Sequence, residues 1–80
     1  MRTPDHEVLE AGRIQADMTV DELWVAYVGL GGGQLPHTLR AYLAGEPTGP
    51  VEYDLVAQAI NERFIDRGQN HPVPYHSELR

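Results

Sequence analysis

Gly31, Gly32 and Gly33 stand in a row between two apolar stretches, and a glycine run ahead of a helix is one way a chain cradles a phosphate. The Walker pattern needs a lysine followed by Ser or Thr after its last glycine, and this chain has no lysine. The dinucleotide pattern G-x-G-x-x-G fails as well. Begun at Gly29, it puts its third glycine on Gln34, and no strand precedes it. Free N–H groups at a helix start still attract anions, but Pro36 removes one of them. The glycines therefore read as a flexible turn between two helices.

The other reactive side chains are scattered. His6, His37, His71 and His76 make no i, i+4 pair of the metal-binding kind, and the absence of cysteine excludes thiolate zinc sites, a thiol nucleophile and disulfides. Glu62 and Asp66 are i, i+4 neighbours, as an acid–base pair would be, but Arg63 and Arg67 lie next to them. An ion-paired solvent face accounts for all four. Ser77 is the only serine and lies beyond the last predicted helix, so no serine stands at a helix start to carry a phosphopantetheine arm. The sequence thus predicts no catalytic, cofactor-binding or metal-binding residue, no cofactor, and no enzymatic activity.

Elements that would position these residues follow from periodicity. Thr19-Val20-Asp21-Glu22 fits a capping box, with Met18 and Leu23 placed as a hydrophobic staple. Val20, Leu23, Trp24, Tyr27 and Val28 then recur at helical period, which predicts a helix over 19–30 ended by the glycine run. Pro36 suits a first helical position; Leu39, Tyr42 and Leu43 form an inward face, and Gly45 followed by Pro47 stops the second helix, predicted over 35–44. A third helix is predicted over 50–67, with Glu52 and Asp54 early, Arg63 and Arg67 late, and Gly68 as its stop. Its stripe is Tyr53, Val56, Ala57, Ile60 and Phe64. Trp24, Tyr27, Leu39, Leu43, Val56, Ile60 and Phe64 are the predicted core.

The expected organisation is a mobile N-terminal segment over 1–17, a three-helix all-α domain over 18–70, and an extended tail over 71–80. In the first segment Thr3-Pro4-Asp5-His6-Glu7 would cap a short helical turn running to Glu10, with Gly12 as its stop. In the tail, Pro72 and Pro74 impose an extended backbone, and Val73, Tyr75 and Leu79 offer apolar anchors. Such a strip suits a groove between two helices, the chain's own or a partner's.

Eighty residues bury only about 60% of the unfolded surface. No run of about 18 apolar residues exists to span a membrane, and the first seventeen residues hold no signal-peptide core, which points to a cytoplasmic protein. The formal net charge is −6, and all six basic residues are arginines. That balance disfavours nucleic acid and favours a basic protein partner. Arg40 is a thin set of cations for a reading helix over 36–44, so two packed helices explain the helix-turn-helix outline better than DNA binding does.

From Met18 to Leu79 the chain resembles small helical orphan proteins of actinobacteria, on Leu23-Trp24, Tyr27, Gly31-Gly32, Leu39-Arg40-Ala41-Tyr42-Leu43, Asn61-Glu62-Arg63-Phe64 and His71-Pro72-Val73-Pro74-Tyr75. The resemblance implies no activity and carries over no catalytic motif. Surplus apolar surface, acidity and the lack of a catalytic constellation together predict a small acidic interaction module, regulatory in role, that binds another protein or a second copy of itself. The expected contacts are Trp24, Tyr53, Arg63, Pro72, Val73 and Tyr75, because Trp, Tyr and Arg dominate interface energetics. A helix-turn-helix DNA-binding protein is the alternative.

Overall fold

The computed structural model describes residues 4–69, 73 and 74. These residues form four helices and no strand: α1 (Asp5–Gln15), α2 (Val20–Gly29), α3 (Pro36–Leu43) and α4 (Tyr53–Asp66). The all-α class holds, but a three-helix domain does not, because α1 lies within the segment expected to stand outside the helical core. Helices α1 and α2 each pack against both α3 and α4. Leu9 of α1 is fully buried together with Leu23, Tyr27, Leu39, Val56 and Ile60.

All four helices end in the same way. The residue after each C-cap is left-handed: Asp17 at φ 57°, Gly31 at 102°, Gly45 at 81° and Gly68 at 74°. Each end carries the paired backbone bonds of a Schellman motif. In α1, for example, the Asp17 N–H donates to the Ile14 carbonyl at 3.0 Å and the Met18 N–H to the Arg13 carbonyl at 3.2 Å. The glycine stops at Gly31, Gly45 and Gly68 were foreseeable from residue type. The stop at Asp17 was not, since aspartate enters this conformation only occasionally.

Gly12 does not end α1 as expected. It lies inside the helix and is buried. A Cβ at Gly12 would stand 2.5 Å from Val73 Cγ2 and 3.4 Å from Ile60 Cγ2, so this glycine serves close approach and not chain reversal.

The other expected starts fare differently. Thr19 caps α2 with both bonds of the capping box: Glu22 N–H to Thr19 Oγ1 at 3.0 Å, and Thr19 N–H to Glu22 Oε1 at 2.9 Å. Pro36 takes the first turn of α3. By contrast, α4 begins at Tyr53, three residues later than predicted, because Pro50–Glu52 run extended across the glycine loop and are bonded to it. Of the predicted core, Tyr27, Leu39, Leu43, Val56, Ile60 and Phe64 are buried. Trp24 is half-buried at the edge, where its indole N–H donates to the Gln34 carbonyl at 2.9 Å.

Candidate interaction site

The glycine loop does hold an anion, but the anion is the chain's own. Tyr27 lies fully buried on α2, and its hydroxyl donates to Glu52 Oε1 at 2.6 Å and accepts from the Gln34 N–H at 3.0 Å. The Gly33 N–H donates to Glu52 Oε2 at 3.2 Å, and the Gln34 side-chain amide holds the Pro50 carbonyl at 2.8 Å. Gly32 packs flat on the Tyr27 ring, where any Cβ would overlap the ring carbons. The Tyr27 hydroxyl, followed by backbone N–H groups, holds the Glu52 carboxyl below the ordinary glutamate range. Burial first, and the Glu52 carboxylate second, push the Tyr27 phenol up. This network consumes the donors that an external phosphate would need. Nothing in the glycine run signals a carboxylate partner nineteen residues on.

A shallow hollow of about 250 Å³ opens between α2 and α4. Its apolar lining is Met18, Val25, Ala26 and Ala59, and Val25 is 64% exposed. Glu22, Glu62 and Asp66 rim it, with Arg63 as the one cation in its lining. Arg63 is turned to Glu22, at 3.7 Å, and to the Asp17 carbonyl. Arg67 reaches the Ala16 carbonyl at 3.0 Å and lies over the Phe64 ring. Among the described residues no ion pair involves Glu62 or Asp66, so the expected pairing of these acids with Arg63 and Arg67 along α4 does not occur. The arginines reach back across the α1–α2 connection and leave the two acids facing solvent.

The residues expected to bind a partner fall in different places. Arg63 lines the α2–α4 hollow, and Trp24 is tied to the Gln34 carbonyl. Tyr53 and Val73 are buried, and Pro72 and Tyr75 lie outside the described residues. The Tyr53 hydroxyl donates to the Pro74 carbonyl at 2.8 Å. Asn61, which sequence reasoning missed, grips Val73 at both backbone groups: Nδ2 donates to the Val73 carbonyl at 2.8 Å, and Oδ1 accepts from the Val73 N–H at 3.0 Å. At residues 73 and 74 the tail therefore lies on its own domain, between α1 and α4. An asparagine interrupting the apolar stripe of α4 was the available signal.

Three of the four described arginines, Arg13, Arg63 and Arg67, converge on the α1–α2 connection, where they donate to the carbonyls of Met18, Asp17 and Ala16, and Arg40 stands apart from them. Arg13 pairs with Glu10, Arg40 with Asp21 at 3.3 Å, and Arg63 with Glu22. No group of three or more His, Asp or Glu among the described residues is arranged to hold a metal ion, and no described helix is long and apolar enough to cross a membrane. No family model matches the chain, and no curated protein or solved structure matches it at a significant level.

Proposed function

We propose that this protein is a non-enzymatic interaction module, regulatory in role, that receives a basic, apolar-anchored segment of another protein in the hollow between α2 and α4. The observation that carries this reading is the exposure of Val25 beside Glu62 and Asp66, neither of which has an ion-pair partner among the described residues. An apolar anchor point edged by unneutralised carboxylates suits a segment that presents leucine-like side chains flanked by arginine or lysine. The net charge of −6 steers such a segment toward the module.

The test is affinity capture from the native host, with wild type and Val25→Asp compared side by side. Val25 is mostly exposed, so the substitution changes stability by no more than about 0.5 kcal/mol. One protein retained by wild type and lost by Val25→Asp supports the reading. Equal retention by both contradicts it. Retention of duplex DNA with a steep salt dependence would favour the helix-turn-helix alternative, with α3 as the reading helix.

A further inference from the structure

We propose that the cleft between α1 and α4 is a recognition site for an extended segment of a partner protein carrying a β-branched residue followed by proline, and that the chain's own Val73–Pro74 fills it in cis. This does not rest on the α2–α4 hollow. Asn61, which serves the cleft, and Ala59, which lines the hollow, are two residues apart and stand on opposite flanks of α4.

The cleft reads its occupant in three ways. Asn61 is 1% exposed, and both halves of its amide are spent on the backbone of a single residue. That is the geometry of a strand edge offered by one side chain, and it requires an N–H, hence a non-proline residue, at that position. The next residue needs no N–H, because only its carbonyl is used, by the Tyr53 hydroxyl. Proline fits there and pre-sets the extended backbone, which lowers the entropy lost on docking. The side chain between these anchor points enters a gap that exists only because position 12 is glycine. A glycine in mid-helix weakens α1, and the close approach of Val73 accounts for its presence. Val73 is 4% exposed, and a hollow of about 200 Å³ lies between α1 and the segment, walled by Val8, Ala11, Gly12 and Gln15 on one side and by Val73 and Pro74 themselves on the other.

The probe is a fluorescent peptide with the sequence of residues 68–76, GQNHPVPYH, titrated by anisotropy against the full chain. In wild type the cis segment competes. In Val73→Asp, checked for an unchanged helical spectrum, the cleft is vacated, and the peptide should bind at least tenfold tighter. A peptide N-methylated at the valine nitrogen, which removes the donor to Asn61, should lose that gain. Should Val73→Asp fail to fold, the wild-type chain is followed by NMR at excess peptide. The Asn61 side-chain amide signals should then shift with the parent peptide and stay still with the N-methyl peptide. Val73→Asp binding the parent and N-methyl peptides alike, or Asn61 signals that never move, overturns the proposal. Wild-type dimers dispersed by the peptide would assign the cleft to a second copy and overturn the assignment to a partner protein.

Discussion

Glu52 shows how much a single carboxylate does in this fold. It joins the Tyr27 hydroxyl to the Gly33 N–H and so holds the glycine loop against the approach to α4. Because its pKa is lowered in the folded state, its contribution is complete above the ordinary glutamate range and is lost as pH falls through the lowered value. Glu52→Gln should therefore cost on the order of 1 kcal/mol at neutral pH, toward the low end for a charge-assisted bond because the carboxylate faces water. The gap between the two melting temperatures should narrow as pH falls below the ordinary glutamate range, and a gap that does not change over that fall would contradict the assignment. Gly12 makes a second argument at this scale. Gly12→Ala should destabilise by about 1–3 kcal/mol through overpacking against Val73. In a Val73→Ala background, with Cγ2 gone, the sign should reverse to a gain of about 0.5–1 kcal/mol from helix propensity. Denaturant titration of the four proteins in the cycle measures both values. These partnerships were illegible in the sequence, because each joins residues nineteen or more apart by side-chain reach alone.

At the scale of elements, legibility followed chemistry that is local. The capping box at Thr19, the proline opening α3 and the glycine stops after α2, α3 and α4 are each written in four or five adjacent residues, and each is present in the fold. A helix start near Pro4 was legible, and α1 does begin at Asp5, but its length and end escaped because both signals for its stop misled. Its glycine serves the tail, and its true stop is an aspartate whose Schellman bonds depend on conformation and not on residue type. The start of α4 was misplaced for a related reason. Proline and acidic residues at 50–54 look like a helix start, but tertiary bonds to the glycine loop hold 50–52 extended. The apolar stripe of α4 was legible, and its centre is Ile60, fully buried beside Gly12. Ile60→Ala should cost about 2–5 kcal/mol, which leaves a domain of this size close to unfolding at 37 °C. A loss below 1 kcal/mol by calorimetry would mean that α1 and α4 do not meet through this residue.

The whole molecule has a Cα radius of gyration of 11.6 Å, against about 12 Å expected of a packed single domain of this length. So small a body leaves little interior in which to build a catalytic pocket, and its distinguishing features are on its surface. On one flank of α4 lies the chain's own Val73–Pro74, held by Asn61 and Tyr53, and on the other an open hollow, apolar at Val25 and edged by acid. The predicted interaction character came from charge and surplus apolar surface, both readable from composition. Which acids stand free of ion pairs was not readable, because that depends on Arg63 and Arg67 turning away from their neighbours on α4 toward Glu22, Asp17 and Ala16. The most direct measurement is the affinity of the protein captured by wild type, titrated by calorimetry at two salt concentrations against wild type and Glu62→Arg/Asp66→Arg. Docking of a basic segment in the α2–α4 hollow predicts at least a tenfold weaker Kd for the charge-reversed protein and a wild-type affinity that falls with salt. Equal affinity for the two proteins, independent of salt, would contradict it.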